Sequence, residues 1–242
     1  MILFTGMFNL IFNNLTEADK NLAIKGIIEH STPRKDFFVM LTLAVSMAAF
    51  GILLNNIIIL VGSMLIAPLL YPLISLSLGF VVADEKLIRR SFYTIVKSFL
   101  FAITASFVVG FLFSGSNIEG LNIFILGVGA PRSFTYAVVA AIAGFAAAFA
   151  VTKPYLNEIL PGVAISVSLV PPLATAGVAL SLFNWTLFEN ALLLFLINVI
   201  GIIFSAMIVF TLLNLSVKKT VTTKTIKKEE AVIKKEENIS LK

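Results

Sequence analysis

The chain has no cysteine, one histidine and one tryptophan in 242 residues, and only 13% of its residues are charged. Without cysteine there is no disulfide framework, no thiolate nucleophile and no thiolate-ligated zinc. The single histidine, His30, lies outside every apolar run. No Ser–His pair can therefore be assembled within such a run, and there is no His-Glu-x-x-His metal motif. No aspartate falls inside an apolar run either, so an intramembrane aspartyl pair is excluded. Gly127-Val-Gly129 lacks the third glycine or following lysine that a phosphate loop needs. The charge content is about half of the roughly 25% usual in soluble domains, which excludes disorder and an ordinary soluble enzyme. The expectation is of no enzyme, no cofactor and no metal.

What the chain has is apolar length. Hydrophobic residues make up 59% of it, and its mean hydropathy is +1.02. Six runs are long enough to cross a bilayer, each near the ~20 residues a span requires: Phe37–Leu54, Ile57–Val82, Phe92–Phe113, Phe134–Val151, Ile159–Leu182 and Phe188–Leu213. Sequences such as Ile57-Ile58-Ile59-Leu60-Val61 do not alternate, so the spans are helices and not barrel strands. Only Asn55-Asn56 separates the first two, which predicts a tight antiparallel hairpin. With six spans both termini share one side. That side carries the basic residues of 20–35, 86–90, 153 and 218–242, while the other carries only Arg132. The bias predicts a multi-pass cell-membrane protein with both termini cytoplasmic. It also accounts for the net charge of +5 through topology and anionic lipid, with no nucleic-acid partner.

The ends read differently. In Met1–Asn14 the residues Leu3, Phe4, Met7, Phe8, Ile11 and Phe12 recur at helical spacing. No basic residue precedes them and no small-residue cleavage site follows, which argues for an interfacial amphipathic helix over a signal peptide. Glu17–Lys35 is a more polar continuation, broken at Pro33. The tail repeats Ile226-Lys-Lys-Glu-Glu-Ala-Val232 as Ile233-Lys-Lys-Glu-Glu-Asn-Ile239. Two copies fall short of the three or four heptads of a coiled coil, so a charged, solvated, partly helical tail is expected. The resulting division is 1–36 for the interfacial helix and linker, 37–113 for one membrane unit, 134–213 for a second, and 214–242 for the tail.

The two units are related by an offset of 100. Gly62-Ser-Met-Leu-Ile-Ala-Pro-Leu-Leu-Tyr-Pro-Leu73 aligns with Gly162-Val-Ala-Ile-Ser-Val-Ser-Leu-Val-Pro-Pro-Leu173, with identities at Gly62/Gly162, Leu69/Leu169, Pro72/Pro172 and Leu73/Leu173. Three spans per unit is an odd number, so the second copy would enter the membrane upside down. The expected fold is an all-α polytopic protein: six transmembrane helices as an inverted 3+3 repeat with broken second and fifth helices. Proline removes an N–H and clashes with the preceding turn. Pro68, Pro72, Pro171 and Pro172 therefore leave backbone groups that, in hydrocarbon, must be buried in protein or line a wet cavity. Ser63, Ser75 and Ser77 in one unit and Ser166, Ser168 and Thr175 in the other are placed either to satisfy a simple kink or to line a solute site.

At these residues the chain resembles a prokaryotic hydrophobic family called domain of unknown function 389. Gly62–Leu73 with Ser77-Leu-Gly79 is similar to its first signature. Leu160-Pro-Gly-Val-Ala-Ile-Ser-Val with Leu169-Val-Pro-Pro-Leu-Ala-Thr-Ala-Gly177 is similar to its second, and Phe195-Leu-Ile-Asn198 to an element of its last helix. The resemblance covers about Pro33–Leu213 and implies a multi-span membrane domain; the family's activity is unassigned, and the resemblance is compatible with transport and with a homo-oligomer but implies nothing sharper. Where the family pattern has proline after an arginine, here Pro131 precedes Arg132.

Other polar residues carry two readings each. Lys97 either snorkels to the interface or presents its ammonium to substrate. Asn198 is either interhelical glue or faces the breaks. Glu158 and Glu189 sit at helix starts, where the dipole favours them. Trp185 is an interfacial anchor, and the Ala/Gly stripe around Gly144 permits close helix packing. The functional expectation is a transporter or channel for a small solute or ion at a mid-membrane site. That site comprises the backbone at the breaks with Gly62, Gly162, the serines, Thr175, Asn198 and Lys97. The alternative is a non-transporting scaffold or lipid-binding sensor acting through the charged tail.

Overall fold

The apolar runs are punctuated by short polar turns, and each turn fixes where a helix stops and the next begins. The computed structural model describes residues 16–113, 133–153, 156, 169–215 and 219–240. Among them are nine helices and no strand: α1 Glu17–His30, α2 Lys35–Leu53, α3 Ile57–Ile66, α4 Leu70–Val82, α5 Glu85–Phe113, α6 Ser133–Thr152, α7 Val170–Ser181, α8 Trp185–Leu212 and α9 Lys219–Ser240. The expected interfacial helix Met1–Asn14 and the first part of the expected fifth span, 159–168, lie outside the described residues.

Caps explain the boundaries. Thr16 and Asp19 form a reciprocal capping box at α1. At its other end Ser31 and Thr32 donate to the Ile28 carbonyl, and Pro33 prevents continuation. The Asn55-Asn56 joint is the tight hairpin expected. Asn55 takes a left-handed conformation, and the Asn56 side chain accepts from the N–H groups of Ile58 and Ile59.

A second turn occurs twice, 100 residues apart. Ala83 and Phe183 are both left-handed, with φ of 52° and 56°. The following Asp84 and Asn184 each accept from the N–H three residues on, Leu87 and Leu187, at 3.1 Å. Their own N–H groups close the turn on the carbonyls of Gly79 and Ala179. A left-handed residue other than glycine costs roughly 1–2 kcal/mol, and in both turns the reversal it permits is capped at once.

Small residues set how the helices meet. On α6, a Cβ at Gly144 would meet Ser205 Oγ and come within 2.6 Å of Ile202 Cα; opposite, one at Gly201 would come within 2.8 Å of Ala140 Cβ. A Cβ at Gly110 on α5 would meet Ser181 Oγ and approach Val178 Cα to 3.1 Å, and one at Gly177 on α7 would meet Ser106 Oγ and approach the Ile103 carbonyl to 2.7 Å. In both crossings the residue numbers rise together, so α6 runs parallel to α8 and α5 parallel to α7. Phe38 on Phe101 and Phe50 on Phe113, at 5.0 and 5.1 Å, make α2 parallel to α5 as well.

Four helices, α2, α5, α6 and α8, are long and apolar enough to cross a membrane, and α3 with α4 makes a fifth if that pair, bent by 47°, counts as one span; α7 is shorter. The outer surface suits such an environment. Ile58, Phe111, Ile142 and Phe204 are 64–79% exposed, far more apolar display than an isolated soluble chain tolerates. One part of the tail departs from expectation. The α9 helix packs on α1 and the start of α5, burying Thr222, Ile226 and Glu229. These positions recur at helical spacing, so the charged repeat has a docked face and is not wholly solvated.

Gly144→Val would force α6 and α8 apart. A loss of about 1–3 kcal/mol is expected, read as a lower thermal midpoint of the detergent-solubilised protein; an unchanged midpoint would mean the crossing can relax.

Candidate functional site

The prolines act by starting helices. α3 ends at Ile66, Ala67 is extended with ψ of 124°, and α4 begins after Leu69. Pro72 is then the third residue of α4, and Pro171 and Pro172 are the second and third of α7. First-turn N–H groups have no intrahelical acceptor, so proline there forfeits no bond. Neither Leu69 nor Leu169, the two N-cap residues, supplies a side-chain cap. Two helix N-termini whose N-cap residues give no side-chain cap, each with the positive end of a helix dipole, thus lie in the apolar bundle.

The two N-termini meet. Leu69, Pro72 and Leu73 at the start of α4 face Leu169 and Leu173 at the start of α7, walled by Ile95, Phe99 and Phe195. The Phe99 and Phe195 rings are 5.8 Å apart, and Phe99 is the central residue of the 29-residue α5. The space enclosed is about 10 Å³, at the lower edge of the ~10–15 Å³ that admits one water molecule. Among the described residues its lining is apolar, which makes it a constriction between the two helix starts.

Most of the serines expected there are occupied elsewhere. Ser63 donates to the Leu60 carbonyl at 2.6 Å and Ser77 to that of Leu73 at 2.9 Å, the local back-bonding open to a serine in a helix. Ser75 accepts from Ser91 Oγ at 2.9 Å. Thr175 Oγ1 and Ser98 Oγ are buried without a hydrogen-bond partner among the described residues. Asn198 is buried on α8, Pro68 and Gly62 are half-buried, and a Cβ at Gly62 would touch Met47 Cε at 3.0 Å. Gly162, Ser166, Ser168, Arg132 and Glu158 lie outside the described residues. Lys97 Nζ sits 4.7 Å from the centre of the Phe38 ring, three residues into α2 from Lys35 and so beside the basic end of the bundle.

The structure therefore brings together Leu69, Pro72 and Leu73 with Leu169 and Leu173, with Ile95, Phe99 and Phe195 as walls that sequence reasoning missed. A signal for part of this was present, since Leu69/Leu169 and Leu73/Leu173 were among the identities at offset 100. The same offset explains the orphaned threonine. Ser75 bonds Ser91, whereas the counterparts are Thr175 and Ala191, which has no hydroxyl.

A second polar cluster lies where α1, α5 and α9 meet. Arg34 pairs with the buried Glu229 at 2.7 Å, Thr223 donates to Asp84 at 2.9 Å, and Arg90 Nη2 donates to Thr32. Burial holds the Arg90 pKa below its ordinary value, opposed by the nearby charges of Glu229 and Glu230. Beside this cluster opens a groove of about 650 Å³ lined by Lys86, Arg89, Arg90, Phe92, Tyr93, Val96 and Glu230. Among the described residues no group of three or more His, Asp or Glu is placed to hold a metal ion.

These features define a hydrophobic, all-helical protein organised around converging helix starts. The chain belongs to the family described as a domain of unknown function (DUF389), whose sequence profile matches residues 64–204. It is 34% identical over 182 residues to an uncharacterized protein of Methanocaldococcus jannaschii, a match that covers 75% of this chain and 55% of that protein. The chain thus spans about half the length of this curated relative. No solved structure matches it.

Ala191→Ser should give Thr175 the partner that Ser91 gives Ser75. The expected gain is about 0.5–1.5 kcal/mol, measured as a raised thermal midpoint. A loss of stability, with Thr175→Val neutral, would show that positions 175 and 191 do not face each other.

Proposed function

We propose that the protein is an integral membrane transporter or channel, and not an enzyme, moving a small neutral or anionic solute past the point where its two breaks converge. The observation that carries this reading is the constriction itself: Leu69, Pro72 and Leu73 of one break against Leu169 and Leu173 of the other. Irregular backbone at such depth is tolerated where it lines a pathway, and apolar constrictions gate by excluding water. The N-termini of α4 and α7, whose N-cap leucines give no side-chain cap, offer positive dipole ends and the N–H groups that the prolines leave. With no carboxylate among the described residues that line the constriction, coupling through an Asp or Glu proton relay is disfavoured, and anions or neutral solutes are preferred over cations.

The finer architecture proposed is the inverted 3+3 repeat, with both termini cytoplasmic and homo-oligomeric assembly. Helix boundaries support the repeat, since α4 and α5 begin at 70 and 85 and α7 and α8 at 170 and 185. Direction supports the inversion. The α5 and α7 helices run parallel, and the turn at 182–184 reverses the chain into α8. It follows that α8 runs opposite to α5, its counterpart. Packing is reciprocal as well: α5 contacts α7, and α8 contacts α4.

A scaffold or sensor acting through the tail is the second reading, favoured by the docking of α9 through Glu229 and Thr223. Flux from sealed proteoliposomes tests both. Chloride or small neutral solutes should pass faster than potassium, and Phe99→Ala with Phe195→Ala should raise the flux by widening the constriction. Deleting 219–242 should leave flux in place. Folded protein with no flux in any of these forms would move the assignment to the scaffold.

A further inference from the structure

The constriction leaves the groove on the basic end of α5 unexplained. Lys86, Arg89 and Arg90 lie within one helical turn of α5 at spacings of three and four, so they share a face. Along that face the chemistry changes from cationic to aromatic to aliphatic. Phe92 and Tyr93 are 60% and 62% exposed, and Val96 and Leu100 follow at 41% and 58%. Glu230 of α9 forms part of the opposite wall. Three cations against one carboxylate leave a net positive groove with an apolar floor.

Arg90 is the built part of this groove. Its Nη2 is fixed on Thr32 Oγ1, and Thr32 is itself buried and tied to the Ile28 carbonyl. Its Nη1 is buried and has no hydrogen-bond partner among the described residues. One arm therefore holds the guanidinium in place while the other is covered by the protein, so Arg90 gives the groove a fixed positive charge. The exposed Lys86 and Arg89 are the cations that a phosphate oxygen in the groove can touch.

We propose that this groove binds the phosphate of one anionic phospholipid, with Arg89, Arg90 and Lys86 around the headgroup and an acyl chain along Tyr93, Val96 and Leu100. A free phosphate would satisfy the cations equally well. The lipid is favoured because the cationic turn leads directly into exposed apolar side chains, the order of polarity found along a phospholipid. Glu230 can accept from a headgroup hydroxyl. The site rests on the chain being embedded in a bilayer but not on transport.

The test titrates phosphatidylglycerol into the full chain in an uncharged detergent and counts bound lipid by native mass spectrometry. Phosphatidylcholine and inorganic phosphate are titrated in parallel. One saturable phosphatidylglycerol per chain is expected, with phosphatidylcholine not saturating. Lys86→Gln with Arg89→Gln, both exposed side chains, should weaken binding by about 30-fold, taking roughly 1 kcal/mol per interfacial cation. Lys25→Gln with Lys224→Gln removes the same charge from exposed positions outside the groove and should leave binding unchanged. Equal losses in the two double variants would reduce the effect to general attraction and overturn the site. So would the absence of a saturable lipid, and inorganic phosphate binding as tightly as the lipid would transfer the site to a soluble anion. Because no flux is measured, failure here leaves the transport reading untouched.

Discussion

In an apolar surrounding, each backbone N–H and C=O has to find its partner within the chain, and an orphan there costs several kcal/mol. The long helices meet this requirement along their length, and the capped turns at Asn56, Asp84 and Asn184 meet it at their ends. It is not met by side chains at the starts of α4 and α7. Both starts are pushed to the centre of the bundle, against each other and against the middle of α5, where neighbouring helices cover them. The arrangement of α5 and α8 as the walls of the constriction follows from this one constraint.

Proline placement is part of the same logic. In the first turn a proline loses no helical bond and has a φ already suited to the helix, so Pro72, Pro171 and Pro172 make a helix start at low cost. They also reduce the number of N–H donors left exposed at each start. The two halves are not equivalent, however. The α5–α7 crossing is closed tightly over Gly110 and Gly177, whereas the counterparts in the α8–α4 crossing are Phe210 and Ser77. The missing hydroxyl at Ala191, which leaves Thr175 unpartnered among the described residues, is a second difference of the same kind.

At the basic end, charge serves architecture. Arg34, buried Glu229, Asp84 and Thr223 clamp α9 to the rest of the protein, and a buried carboxylate of this sort is tolerable only when paired. Removing Arg34 would take from the buried Glu229 its ion pair, whereas Arg34 itself is partly exposed, so the clamp specifies position more than it adds stability. The Lys97 ammonium over Phe38 belongs to this region too, away from the constriction lining, and the placement fits a lysine whose stem is buried while its charge reaches toward the polar side.

The sequence by itself determined what depends on near neighbours. Composition and run length marked the apolar helices; Asn55-Asn56 and Pro33 marked turns; the offset of 100 located the starts of α4 and α7 and their leucines. These are local properties, because caps, proline sterics and 3.6-residue periodicity act within a turn or two of chain. Tertiary structure alone decided which faces meet. It brought Phe99 and Phe195 to within 5.8 Å across the constriction, and docked a repeat that reads as solvated onto α1. Those outcomes rest on contacts between residues tens to nearly two hundred positions apart, such as Arg34 with Glu229, and a one-dimensional pattern holds no record of which distant surface will bury a given side chain.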